Sequence, residues 1–383
     1  MNNSSKKNAT ALFGGSFNPP TLAHLSVIKG LSERFEKVIV MPTKISPFKI
    51  GAYKICDDDR LSLLRECCRP MQHVEVSDFE LKKEGVSYTC FTVDELKKIH
   101  ENLFLVMGTD NIEGLRGWKN IDKILDKCIV YLVPRPGFPI TESELLTLNC
   151  RYETADFIGA DGSSTLVPVA NAFGKLREVV PEKVAEYIES KKLYKQYFFV
   201  RDLYEKYNVK KSRVEHTYGV VKAAIILAGI YGADVKKAIL ASLLHDCGKY
   251  VTVRELEQKG FCFDDEAKSA LPPVEHCYTS EAIARCDLKI NDQEVLRAIR
   301  LHTTGDENMS TLEKIVFCAD YIEEGRTTPG VEQIRKKILF DLDGAMLDIL
   351  GATINYLKSK NAEIDKRTLA CRDRLEKTIK KEN

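Results

Sequence analysis

The sequence predicts two domains of different class: an α/β domain with a parallel sheet over residues 1–196, then an all-α domain over residues 197–383. Three observations carry this expectation. Through the first 195 residues, short apolar runs alternate with helical stretches of about 10–15 residues, the pattern of a parallel sheet covered on both faces. Past Tyr197–Tyr207 the strand signal stops and helical periodicity alone continues. The length, 383 residues, suits two domains, each large enough for its own core.

Each element has a local reason. ATALFGGSF is an apolar run closed by glycines and predicts the first strand, with a helix from Thr21 to Phe35 after it. Lys37–Met41, His73–Val76, Leu103–Met107 and Cys128–Val133 are the next strand candidates, and Asp58–Cys68 and Ser87–His100 the helices among them. In the second domain helices are expected over Val214–Tyr231, Ala233–Leu244, Thr279–Arg285, Asp292–Leu301, Thr311–Glu323 and Leu339–Lys358.

Composition narrows the function. Lys and Arg number 57 against 56 Asp and Glu, a net charge of +1, so neither nucleic acid nor membrane is expected as a partner. The longest near-apolar run, Ala223–Ala233, is too short to span a bilayer, and the polar N-terminus lacks a signal peptide's apolar stretch. A cytoplasmic protein is expected, and a homodimer is compatible with the sequence. The twelve cysteines form no C-x-x-C pair and read as reduced, mostly buried thiols. Of the seven histidines, four lie in the second domain: His216, His245, His276 and His302.

Ligands of open parallel sheets bind at the carboxyl ends of strands, where the sequence places Gly14, Gly15, Ser16 and Phe17, Pro42–Lys49, Gly108–Asp110 and Arg135. After Gly14–Phe17, Thr21 and His24 share the first turn of a helix, so a hydroxyl and an imidazole stand over free backbone amides. That arrangement suits a phosphate; it equally describes a helix capped by Thr21 beside an incidental histidine.

The segment Gly14–His24 resembles the nucleotidyltransferases that share the (H/T)-x-G-H motif, within them bacterial nicotinate mononucleotide adenylyltransferase. The likeness continues through Met41–Lys49, Ser77–Thr89, Val106–Trp118, Val133–Gly137, GSSTLVP and Val184–Tyr194. It implies a Rossmann-like fold in which the phosphate of nicotinate mononucleotide attacks the α-phosphorus of ATP, with Mg²⁺ assisting. By position, the resemblance gives His24 and Thr21 to the ATP phosphates as catalytic groups, adds the charge of Lys49, and puts Asp110 near the ribose or metal. Thr89, Gly108, Arg135, Ser164 and Thr165 join the substrate-binding set with the strand-end residues. Trp118, the only tryptophan, is either a platform for the pyridine ring or packing.

Two positions depart from that family. The glycine of the motif is Ala23, and the arginine expected after Ser163-Ser164-Thr165 is Pro168. Proline offers neither charge nor backbone donor, a loss of roughly 2–4 kcal/mol of transition-state stabilisation. Lys175 or Arg177 could substitute. A catalytically weak nucleotide-binding module is therefore the alternative for the first domain.

In the second domain the buried-looking run Ala238–Leu244 ends in His245-Asp246, a polar pair that is costly unless a metal satisfies it. With His216, His276, His302 and Asp320, the order H…HD…H…H…D resembles the HD phosphohydrolase superfamily. HDCGK, HTTG (His302–Gly305) and IEEGR (ending at Arg326) resemble bacterial hydrolases that split diadenosine tetraphosphate symmetrically into two ADP. That implies two divalent metals on His216, His245, Asp246, His276, His302 and Asp320, iron by resemblance, with Lys249 and Arg326 for phosphate charge and Asp246 and Lys249 catalytic. Another nucleotide as substrate is the alternative.

Four features were set aside. His100 reads as a cation at a helix end, His73 as solvated, Asp57-Asp58-Asp59 as helix capping, and KTIKKEN as a frayed terminus.

Overall fold

The computed structural model describes residues 6–45, 55–138, 145, 148–160 and 162–382. The chain forms two compact units, Met1–Lys195 and Gln196–Asn383.

The first unit holds a six-stranded parallel sheet. Its strands are β1 (Lys7–Gly15), β2 (Phe35–Pro42), β3 (Val74–Val76), β4 (Leu103–Gly108), β5 (Ile129–Val133) and β6 (Tyr152–Thr154), in the order β3-β2-β1-β4-β5-β6. This is the Rossmann order, with its switch point between β1 and β4. Successive residues alternate between two cores. Leu12, Ile39, Leu105, Val130 and Leu132 face one way; Ala11, Val38, Val40, Phe104, Val106 and Tyr131 face the other.

The helices are α1 (Leu22–Ser32), α2 (Asp57–Cys68), α3 (Thr89–Leu96), α4 (Ile121–Lys127), α5 (Val167–Ala172) and α6 (Glu182–Ser190). Phe35, expected in the first helix, instead starts β2 and is fully buried between Phe104 and Tyr131. Helix α3 ends at Leu96, short of the expected His100. The His100 ring lies 3.1 Å from the Thr10 hydroxyl, and burial, aided by Lys37, holds its pKa below the ordinary value.

The second unit is helical: α7 (Phe199–Lys206), α8 (Lys211–Ile230), α9 (Val235–Leu244), α10 (Val253–Glu257), α11 (Asp265–Lys268), α12 (Glu275–Cys286), α13 (Gln293–Leu301), α14 (Thr311–Ile322), α15 (Val331–Lys337), α16 (Leu342–Ser359) and α17 (Lys366–Glu382). Among the described residues, no helix is long and apolar enough to cross a membrane. Helix α9 is capped by Asp234 and buries Ala238, Ile239, Ala241, Leu243 and Leu244, so the turn after it is delivered into the core. Helix α14 starts from a Ser310–Glu313 capping box and is buried almost throughout, which brings Asp320 to the same region. Helix α17 runs through Glu382 and so includes most of the KTIKKEN segment.

Candidate active sites

In the first unit, a cavity of about 540 Å³ opens beside the carboxyl ends of β1 and β4. Gly14, Gly15, Ser16, Thr89 and Trp118 line it, together with Glu80, Tyr88 and Lys119. The last three were not singled out in the sequence. Thr21 caps α1 and is fully buried; its hydroxyl meets His24 Nδ1 at 2.7 Å, and its amide donates to the same nitrogen at 3.0 Å. The helix-cap reading of this turn holds, and the same cap orients the imidazole. The Phe17 ring packs edge-on against His24, centroids 4.9 Å apart.

At the end of β4, Asp110 is ion-paired with Arg135 at 2.6 Å, and Arg135 also donates to the Gly162 carbonyl. A Cβ on Gly108 would stand 2.4 Å from Asp110 Oδ1 and 2.8 Å from the Arg135 chain, so a side chain there would have to displace this pair. Ser164 donates to the Pro19 carbonyl at 3.2 Å, and Thr165 beside it is exposed. Lys49 lies outside the described residues. Arg60, missed in the sequence, is 1 % exposed and donates to the carbonyls of Ser16 and Thr43, tying down two walls of the cavity. Its spacing from Asp57, which it pairs with at 2.8 Å, was the available signal.

Pro168 is buried in the first turn of α5, where its missing amide costs nothing. Arg177, a possible substitute for the absent arginine, is instead bound to both Glu182 and Glu189, and Lys175 pairs with Glu178.

The second unit gathers all six expected metal ligands. His245 and Asp246 leave the end of α9, His216 comes from α8, His276 from α12, His302 from the end of α13 and Asp320 from α14. Asp246 stands in the middle. Its Oδ1 lies 3.2 Å from His276 Nε2 and 3.6 Å from His302 Nε2, while its Oδ2 lies 3.3 Å from His245 Nε2. Asp320 Oδ1 lies 2.8 Å from His216 Nε2 and 4.0 Å from His245 Nε2. The donors therefore form two nests that share one carboxylate. His245, Asp246, His276 and His302 are all buried, and His245 Nε2, His216 Nε2 and Asp246 Oδ1 enter no hydrogen bond among the described residues. Orphaned buried donors converging in this way fit a pair of divalent ions.

The opposite ring nitrogens are anchored. His245 Nδ1 and His302 Nδ1 each lie 2.7 Å from a backbone carbonyl, of Ser242 and Ile299, and His216 Nδ1 lies 3.1 Å from Glu323. These contacts fix each tautomer and leave Nε2 to point inward. Burial holds the His245 imidazole below its ordinary pKa. Burial would raise the Asp246 carboxyl, but His245 and His302 outweigh it and hold it well below the usual carboxylate range.

The HDCG turn is pinned to α12: Gly248 N donates to Ser280 Oγ, and Thr279 Oγ1 donates to the Gly248 carbonyl, both at 2.9 Å. Three cations surround the carboxylates. Arg213 lies 2.8 Å from Asp246 Oδ2, Arg326 2.9 Å from Asp320 Oδ1, and Lys249 3.5 Å from Asp246 Oδ1.

Comparison with known proteins agrees with both units. A cytidylyltransferase-like family model matches residues 12–167 and an HD-domain model residues 213–325. A symmetrical bis(5'-nucleosyl)-tetraphosphatase of Halalkalibacterium halodurans is 43 % identical over 44 % of this chain and 91 % of its own. A probable nicotinate-nucleotide adenylyltransferase of Aliarcobacter butzleri is 33 % identical over 41 % of this chain and 84 % of its own. The chain belongs to both families. A Mycoplasma genitalium protein named a probable nicotinate-nucleotide adenylyltransferase/Ap4A hydrolase is 26 % identical over 84 % of this chain and 89 % of its own, so the same fusion recurs in one polypeptide.

Within the HD-domain unit, sequence reasoning missed Arg213 and Glu323. Arg213 precedes His216 by three residues, so both lie on one face of α8, and that spacing could have found it. Glu323 follows Asp320 at the same spacing, but its bond to His216 depends on how α8 packs on α14.

Proposed function

We propose that this chain joins two enzymes of the cytoplasm: an adenylyltransferase that makes nicotinate adenine dinucleotide, and a metal-dependent hydrolase that cleaves diadenosine tetraphosphate into two ADP. The observation that carries the reading is the pair of donor nests sharing Asp246, set in a chain whose full-length relative has the same two parts.

In the first unit the phosphate of nicotinate mononucleotide attacks the α-phosphorus of ATP, the α–β bridging bond breaks, and pyrophosphate leaves. A phosphate nucleophile needs no strong base, so the work of the protein is alignment and charge. His24, oriented by Thr21, and the amides after β1 serve the phosphates; Trp118 and Tyr88 offer the cavity a flat apolar wall. Mg²⁺ accompanying ATP supplies further charge neutralisation.

In the second unit, His216, His245, Asp246 and Asp320 would hold one divalent ion, and Asp246, His276 and His302 the other. When bound, such a pair, iron by family resemblance, would lower the pKa of a coordinated water and would stabilise charge on the phosphoryl oxygens. Water adds at an inner phosphorus, the bond to the central bridging oxygen breaks, and two ADP leave. Lys249, Arg213 and Arg326 line the same carboxylates and are placed to take phosphate charge.

Assaying the full chain for pyrophosphate release from ATP and nicotinate mononucleotide, and for ADP release from diadenosine tetraphosphate, tests both halves. His245→Ala should lower hydrolysis by at least about 1000-fold and leave adenylyl transfer unchanged. Retained hydrolysis would refute the metal site. For the first unit, Pro168 and the engagement of Arg177 favour a second reading, a nucleotide-binding module. Binding without pyrophosphate release would select it.

A further inference from the structure

One buried side chain in the second unit is not accounted for by the six ligands. Cys277 is 1 % exposed and follows His276 on α12. Its Sγ lies 4.0 Å from His276 Nε2, and one ligand atom from each of His276, Cys277 and His302 falls within a 4.8 Å group. The two Nε2 atoms are 3.1 Å apart. Asp246 Oδ1, buried and accepting no hydrogen bond, lies 3.2 Å from His276 Nε2 and 3.6 Å from His302 Nε2.

We propose that Cys277 is a fourth protein side chain, beside His276, His302 and Asp246, on the ion that these residues share, so that this half of the centre is a two-nitrogen, one-oxygen, one-sulfur site. The inference rests on the two-metal reading above. The distances permit it. A metal–sulfur bond of about 2.3 Å and a metal–nitrogen bond of about 2.1 Å together span about 4.4 Å, so Sγ and Nε2 at 4.0 Å can bind one ion. On binding, the thiol gives its proton to solvent and the thiolate takes the place of that proton with the metal.

The other nest, His216, His245, Asp246 and Asp320, has only imidazole and carboxylate donors, so the two halves differ in softness. A thiolate favours zinc, iron(II) or cobalt(II) over manganese and magnesium. The pair is then selective at one position and permissive at the other.

Cobalt(II) loading of the full chain tests this, with exposed Cys56 and Cys262 replaced by serine to remove adventitious thiol binding. The expected spectrum shows visible ligand-field bands together with a near-ultraviolet thiolate-to-cobalt charge-transfer band. In Cys277→Ser the charge-transfer band is lost and the ligand-field bands remain, while preference for zinc over manganese at that position falls by at least about tenfold. X-ray absorption of the cobalt protein with Cys277 intact should show one sulfur scatterer per two metals, a result that does not depend on the variant folding. Ligand-field bands without a charge-transfer band, or a band that persists in Cys277→Ser, would overturn the role of Cys277. Failure to bind cobalt at all would instead overturn the two-metal reading.

Discussion

Glu323 shows how much of a metal site is decided by a residue that touches no metal. Its carboxylate lies 3.1 Å from His216 Nδ1, fixing the ring so that Nε2 faces Asp320. A Cβ at position 219 would stand 2.6 Å from Glu323 Oε2, so Gly219 on the facing helix makes room for it. Glutamine keeps the shape but removes the charge that strengthens the imidazole as a donor. Glu323→Gln should weaken metal affinity by about 10–100-fold with the fold intact. Metal titration of the apoprotein, read beside circular dichroism, checks this; unchanged affinity would reduce Glu323 to packing. At this scale the sequence was legible where a residue type is rare and costly to bury. Four histidines and two aspartates in order were enough to find six side chains that the fold brings together. Arg213 could have been found from its spacing to His216, whereas Glu323 and Cys277 take their places only through packing.

At the scale of elements, the alternation of strand and helix was readable because buried parallel strands are continuous apolar runs. Strand β6 was not: Tyr152–Thr154 is three residues long and partly exposed at the sheet edge, so it carries no periodic signal. Helices α10, α11 and α15, each seven residues or fewer, were missed for the same reason. What positions the chemistry is a contact between elements. The HDCG turn lies so close to α12 that a Cβ on Gly248 would stand 2.5 Å from Thr279 Oγ1 and 2.6 Å from Ser280 N. Those are backbone and short side-chain atoms of the helix that carries His276 and Cys277, so relief requires moving the helix itself. Gly248→Ala should cost about 1–3 kcal/mol of stability and lower metal retention together, since one displacement causes both. Denaturant midpoints and metal content after dialysis measure the pair. Normal stability with normal metal content would show that the turn tolerates the added atom.

For the whole molecule, the two units bury separate cores, and only the second gathers the six proposed metal ligands. An ion that binds the folded state alone stabilises it in proportion to its free concentration over its dissociation constant, by about 2.7 kcal/mol at a hundredfold excess. That stabilisation belongs to residues 196–383, because no donor of either nest comes from the first unit. Calorimetry of the full chain should therefore resolve two transitions. A chelator should lower one of them by several degrees and leave the other in place; ATP should raise only the transition that the chelator spares. His245→Ala should remove the chelator response without moving the ATP response. A single transition shifted by both additions would mean that the units unfold as one, and the two active sites would then be linked through stability even though each is built from its own half of the chain.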